Sequence, residues 1–365
     1  VFDWGLYKGG LKWLPERTIY LTLSGSHSYG TNIPTSDTDY RGIAIAPKAY
    51  YFGINNRFEQ AEQNDPDLTI FDVRKFIELA ANANPNVLEL LYTDPSDRLL
   101  VTPLGQKLID NRDLFLSQKA KHTFSGYAIS QLKRIDLHRR YLLHPPKAPP
   151  TRAEFGLPER TVIPQDQLAA ANAAIRKRVD SWNWKDLDNI SPADRQAIQD
   201  EFTNKLIEIT QWADGELEGK VWVSAARSLG FDSNFIELLD RERLYTCRHN
   251  EWKSYNNWKQ NRNKARSEME AKFGFDGKHA GHLYRLLSMC REILTDGKVI
   301  VKRPDAAEIL NIRNGGWTYE RLMEWANQQD KELSEIMLTS KLPKAPNRNK
   351  IDELCISLIE ESYQD

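Results

Sequence analysis

Asp37 and Asp39 form an Asp-x-Asp pair, and Asp37 stands eleven residues past Ser26 of a Gly25-Ser26 step. In extended backbone, alternate side chains project to the same side. Both carboxylates are then expected on one face, where they repel each other unless a cation sits between them. The Gly25-Ser26 step follows the β-rich run Thr18-Ile19-Tyr20-Leu21-Thr22-Leu23. A turn there offers backbone N–H groups and a hydroxyl to a phosphate. Together these residues describe a site for a metal ion and a triphosphate. The matching chemistry is nucleotidyl transfer, in which little covalent work falls to the protein. It must supply two divalent ions, in line, to stabilise the attacking and leaving oxygens. Magnesium takes oxygen ligands in near-octahedral geometry, so carboxylates on rigid strands are the natural holders.

A third acid completes such a set, and two residues qualify. Asp67 opens the β-like run Asp67-Leu68-Thr69-Ile70-Phe71, and Asp72 closes it as a good helix N-cap. Arg41 lies two residues past Asp39 and shares its face, placed to pair with the carboxylates or to touch a phosphate. Far along the chain, Lys278, His282 and Arg285 recur at helical spacing and are expected to reach toward the triphosphate of a bound NTP. His279-x-x-His282 also has the spacing of a zinc half-site, but no third His or Cys is near it in sequence.

The elements that must position these residues follow from periodicity and turn signals. Strands are expected over 18–24, 38–46, briefly 59–61, and 67–71. Val73, Phe76, Ile77 and Ala80 share one face of a helix that Asn84-Pro85-Asn86 breaks. From about residue 104 the pattern is helical: 104–111, 113–142, 165–180, 192–214, 218–229, 233–246, 251–273, 279–295, 304–311, 318–338 and 348–362. Pro145 to Pro150 reads as a rigid loop, and Lys298-Val299-Ile300-Val301 as a short β-like run. The expected fold is α+β: a small mixed sheet in residues 1–103, then a helical region over 104–365 that shapes the cleft and holds the acceptor.

Composition narrows the class. The net charge of −1 hides an uneven distribution. Residues 117–160 hold nine Lys/Arg against three Asp/Glu, and 241–303 hold fifteen against seven, which points to localised anion-binding surfaces. Lys121, His122, Lys133, Arg134, Arg139 and Arg140 would suit an RNA backbone. Trp252, Tyr255 and Trp258 among Lys253, Lys259, Arg262, Lys264 and Arg266 would do so too. Three scattered cysteines without C-x-x-C fit a reducing compartment rather than a disulfide scaffold. No run approaches the roughly 20 apolar residues that span a bilayer, and no leader pattern opens the chain. A soluble, cytoplasmic protein is expected.

The extended pattern G-S-x-x-Y-G-x-x-x-P-x-S-D-x-D-x-R-G, running from Gly25 to Gly42, resembles the polymerase-beta-type nucleotidyltransferase superfamily. With Arg74-Lys75-Phe76 and Asn84-Pro85-Asn86-Val87-Leu88-Glu89-Leu90-Leu91, it is similar to the RNA-ligase-associated, or RNA-repair, polymerase-beta-like proteins of bacteria and phages. The likeness is dense over residues 20–92 and looser at 276–287 and 297–301. It implies that Asp37 and Asp39 ligate Mg²⁺ or Mn²⁺, that Ser26 contacts phosphate, and that the third acid lies on a strand, which favours Asp67. It further implies an NTP substrate and an RNA-end acceptor, with a protein acceptor or a catalytically inactive binding module as rivals.

Overall fold

Strand β2, Asp39–Ala44, is the centre of a five-stranded sheet of order β3-β4-β2-β1-β5 in this computed structural model. The structure describes residues 2–182, 222–223, 225–262 and 264–364. Strand β1, Thr18–Ser24, runs antiparallel to β2, and β4, Asp67–Asp72, runs parallel to it. Strands β3, Gln60–Asn64, and β5, Arg98–Val101, close the two edges, both antiparallel to their neighbours. Strands β1 and β4 lie where the sequence puts them, and β2 starts one residue later than expected. Strand β5 was not anticipated: four residues at an edge are too few for alternation to declare itself. Lys298–Val301 forms no strand, and Val299 and Val301 are instead buried in the helical core.

Alternation along the strands divides the sheet's side chains between two cores. Leu21, Ala44, Leu68 and Ile70 pack with Phe2, Leu14 and Phe58 on one side. Ile19, Tyr20, Ile43 and Ile45 join the larger core with the helices on the other. The short helices here are α1, Leu14–Arg17, α2, Gly25–Tyr29, and α3, Lys48–Phe52. Helix α4, Val73–Ala81, buries the expected face of Val73, Phe76, Ile77 and Ala80. Pro85 starts α5, Pro85–Leu88, and α6 spans Pro103–Asp110.

Helix α7, Lys119–Leu143, is followed by α8, Gln165–Trp182, α9, Ser233–Gln260, and α10, Lys264–Phe273. Then come α11, Gly277–Asp296, α12, Ala306–Arg313, α13, Tyr319–Thr339, and α14, Arg348–Glu361. Helix α9 runs through the break expected between 246 and 251, because nothing there, neither Gly nor Pro, stops a helix. The expected helix 192–214 and most of 218–229 lie outside the described residues.

Contacts group the chain differently from a division at 103/104. One compact unit comprises residues 1–143 together with 263–365, so sheet, α7 and the last helices share one core. Its hub is α11, which buries Ala280, Leu283, Leu286, Leu287, Met289 and Ile293 on several sides and packs against α7, α12 and α13. Asp276 caps its start, and Gly297, in the left-handed region, ends it. Residues 144–262 form the other unit. There Ile163, Ile175, Ala225, Ile236 and Leu239 make a small core, and Arg152 forms a bidentate pair with Glu242 at 2.9 and 2.5 Å.

Candidate active site

Three adjacent strands bring a row of polar residues to one end of the sheet. Ser24 ends β1 opposite Asp39, and Asp39 is in parallel register with Asp67 of β4. The chain then turns into α2 at Gly25, whose φ is +64°. A Cβ built there would sit 2.1 Å from Asp39 Oδ2, so only glycine lets the turn pass this close to the carboxylate. Ser26, half-buried, is in the first turn of α2. Gly30 closes that turn in the left-handed region, with its N–H bonded to the carbonyl of His27.

Asp39 and Asp67 share a hydrogen bond, and their acidities are driven apart. Burial, together with that hydrogen bond, pushes Asp39 up to about 6, against the pull of Arg41 and Lys278. Burial also weighs on Asp67, but the Arg41 and Asp39 hydrogen bonds outweigh it and hold Asp67 below the usual carboxylate range. Arg41 Nη1 lies 2.9 Å from Asp67 Oδ1 and also donates to the Tyr40 carbonyl at 2.8 Å. Of the two uses open to Arg41, the structure displays the carboxylate pairing. Asp37 is exposed and precedes β2, so it is not part of the registered row. Among the described residues, the group of three metal-ligating side chains with ligand atoms within 4.8 Å of one another is a different one, His138, Asp276 and His279.

Asp72 is engaged elsewhere. It lies at the far end of β4, opposite Ala44, where its carboxylate caps α4 through the Arg74 N–H at 3.0 Å and accepts from Tyr51 Oη at 2.6 Å. Of the two candidate third acids, Asp67 is the one beside Asp39.

The predicted helical contributors all lie on α11. Lys278, His282 and Arg285 line a cavity of about 450 Å³ together with Arg134, Gln131 and Asn86. Lys278 is near enough to Asp39 for its charge to act on that carboxyl. Burial, reinforced by Arg285, Lys278, His279 and Arg313, pushes His282 down to about 3, so its imidazole is neutral at physiological pH. A neutral ring among cations marks a pocket suited to an anion.

Arg285 also has a second task. Its guanidinium is buried, bonds to Glu89 Oε2 at 2.7 Å and stacks 3.9 Å over the Tyr29 ring. Tyr29 Oη donates to the other oxygen of Glu89. The backbone N–H of Arg303 donates to the Tyr29 carbonyl at 3.0 Å, and the Arg303 guanidinium is held by Glu292 and Asp305. The helical region thus fixes the back of α2, the helix that carries the Gly-Ser turn. Sequence reading missed Glu89 as a site residue. Its signal was a lone acid inside the apolar run Val87-Leu88-Glu89-Leu90-Leu91.

Residues 12–141 match the family described as the RNA repair pathway DNA polymerase beta family, RlaP. The matched segment holds Gly25, Ser26, Asp37, Asp39, Arg41, Asp67 and Glu89 and stops before α11. An uncharacterized 38.9 kDa protein from the nrdC–mobD intergenic region of Enterobacteria phage T4 is 29% identical over 132 residues. That alignment takes in 32% of this chain and 38% of the phage protein, so the chain spans well under half the relative's length. No solved structure matches the chain.

Several expected nucleic-acid contacts are otherwise engaged. Lys121 is buried, 3.5 Å from Asp330, and Arg139 packs on the Tyr319 ring at 4.4 Å. Arg262 lies 4.0 Å over the Trp258 ring. Lys133 and Arg134 are exposed on α7. The side chains of Lys264 and Arg266 lie outside the described residues. Among the described residues no helix is long and apolar enough to cross a membrane.

Proposed function

We propose that this chain is a divalent-metal-dependent nucleotidyltransferase that moves an NMP group from an NTP to the hydroxyl of an RNA end. The observation that carries the reading is the in-register pair Asp39–Asp67 beneath a glycine whose Cβ the Asp39 carboxylate excludes. The family match adds RNA repair as the setting.

The residues present fit a divalent ion. Two carboxyls forced to share a hydrogen bond, one of them with a raised pKa, exchange that proton readily for a cation. Asp39 and Asp67, joined by Asp37 from the preceding loop, would hold Mg²⁺ or Mn²⁺. When bound, the ion neutralises developing charge on phosphoryl oxygens. The chain's own residues do the rest. Arg41 keeps Asp67 ionised and oriented at 2.9 Å. Gly25 admits the polyphosphate close to the backbone, with Ser26 as a hydroxyl donor. Lys278 supplies positive charge facing Asp39. The neutral His282 offers a hydrogen bond without adding charge. Arg285 acts through Glu89 and Tyr29 as a positioning residue for the turn.

The test is incubation of the full chain with each α-labelled NTP, Mg²⁺ or Mn²⁺, and RNA carrying a free 3′ hydroxyl. Label should enter RNA and be lost in Asp39→Asn and Asp67→Asn. Label entering protein instead would move the acceptor to a protein side chain. No labelled product with any NTP and either metal would refute the reading.

A further inference from the structure

A polar cluster away from the paired acids joins α7 to α11. Asp276, fully buried, caps α11 with one oxygen: Oδ1 accepts from the backbone N–H groups of Lys278 and His279 at 3.0 and 3.2 Å. The other oxygen faces two imidazoles. Oδ2 lies 3.5 Å from His138 Nδ1 and 3.5 Å from His279 Nε2. The two rings are tilted by 59° with centroids 5.7 Å apart, so they converge on the carboxylate rather than stack on each other. All three ligand atoms lie within 4.8 Å of one another.

The spacing bears on whether a proton or a metal joins these groups. Hydrogen bonds between an imidazole and a carboxylate close to about 2.7–2.9 Å. A tetrahedral zinc ion with bonds of about 2.0–2.1 Å holds neighbouring ligand atoms roughly 3.4 Å apart. Two separations of 3.5 Å about one oxygen match the second arrangement. The surroundings are also those of a metal site. His279 Nδ1 lies 2.7 Å from Gln131 Oε1, and with that oxygen as acceptor Nδ1 carries the ring proton. Nε2, 3.5 Å from Asp276 Oδ2, is then the unprotonated nitrogen, which is how an outer hydrogen bond prepares a histidine ligand. The cap bonds to Lys278 and His279 fix Asp276 in the same way.

We propose that His138 Nδ1, Asp276 Oδ2 and His279 Nε2 bind a transition-metal ion of the zinc class. Two nitrogens and one oxygen suit zinc, whereas magnesium prefers oxygen throughout. The ligand set differs from the His279-x-x-His282 reading of the sequence. His282 is replaced by His138, supplied by another helix, which no local spacing could reveal. Three protein ligands leave a fourth position for water. The ion would clamp α7 to α11, the two helices that line the cationic cavity through Arg134, Gln131, Lys278 and His279. The proposal does not depend on the nucleotidyltransferase reading.

The test is titration of the full chain, stripped by chelator, with Zn²⁺ and with Co²⁺ as a spectroscopic probe. The expected result is about one tight equivalent of zinc and visible Co²⁺ absorption of tetrahedral strength. Gln131→Ala should weaken binding by about 10–100-fold. His138→Ala and His279→Ala should weaken it further, and an Asp39→Asn/Asp67→Asn double variant should leave it unchanged. His138→Cys should restore cobalt binding with a new thiolate charge-transfer band, a gain that a misfolded chain cannot give. Wild-type chain that takes up neither ion, or His138→Ala and His279→Ala chains that bind as wild type does, would overturn the proposal.

Discussion

Asp39 and Asp67 face each other across parallel strands, joined by a hydrogen bond, yet Arg41 binds only Asp67. Burial, with the hydrogen bond shared with Asp67, raises Asp39 to about 6, while the Arg41 hydrogen bond helps hold Asp67 below the usual carboxylate range.

A pH dependence follows with a definite sign. Asp39 titrates higher in the folded chain than in the unfolded one, so its ionisation opposes folding. The cost is absent below the unfolded value near 4, grows between pH 4 and 6, and is complete above about 6. Without divalent ions, Asp39→Asn should therefore raise the thermal midpoint at pH 7.5, and the gain should shrink as pH falls toward 4. Calorimetry across that range measures it. Nucleotidyl transfer by the wild type should decline below pH 6 and recover partly with excess Mg²⁺.

Gly25→Ala should remove activity while leaving the chain folded. The substitution puts a methyl group against Asp39 Oδ2 in a backbone region that L-residues avoid. A stability loss of about 1–2 kcal/mol is expected, with transfer activity reduced at least tenfold. Denaturant unfolding and the labelling assay, run side by side, separate the two effects.

Glu89 and Arg285 form a buried ion pair, and removing one partner strands the other. Glu89→Leu or Arg285→Met should each cost about 3–5 kcal/mol. The double variant Glu89→Leu/Arg285→Met should cost clearly less than the sum, since no isolated charge remains. A double-mutant cycle by urea denaturation checks this. Additive losses would mean that the pair is not coupled.

Asp67 and Asp72 sit at opposite ends of one strand and should fail in opposite ways. Asp72→Ala removes the cap of α4 and the acceptor for Tyr51, costing about 1–2 kcal/mol, with transfer retained at permissive temperature. Asp67→Ala should leave the melting temperature near that of the wild type and abolish transfer. Melting curves and initial rates on the same preparations read both.

Much of this arrangement was legible in the chain. The strands 18–24 and 67–71 declared themselves by β-branched residues between turn signals, and Asp72 with Val73, Phe76, Ile77 and Ala80 declared α4. The Gly25-Ser26 and Asp39 relationship was readable because it is local: a tight turn feeding a paired strand. What the sequence concealed was long-range. Asp37, expected to share a face with Asp39, stands exposed ahead of β2 and outside the row of Asp39 and Asp67. Lys121, read as a surface cation, is buried beside Asp330. Arg285, read as a phosphate contact, also closes a pair with Glu89 across 196 positions. His138 meets His279 only because α7 packs on α11. Such pairings depend on helix packing, which periodicity reports as a buried face without naming the partner on the other side.

The central claim is best tested by crystals of the chain grown with Mn²⁺ and a non-hydrolysable NTP, read by anomalous scattering at the manganese edge. The account predicts a manganese peak between the Asp39 and Asp67 carboxylates, with the triphosphate running past Gly25 toward Lys278. Nucleotide bound with no manganese at that pair, or manganese and nucleotide seated away from β2 and β4, would contradict it.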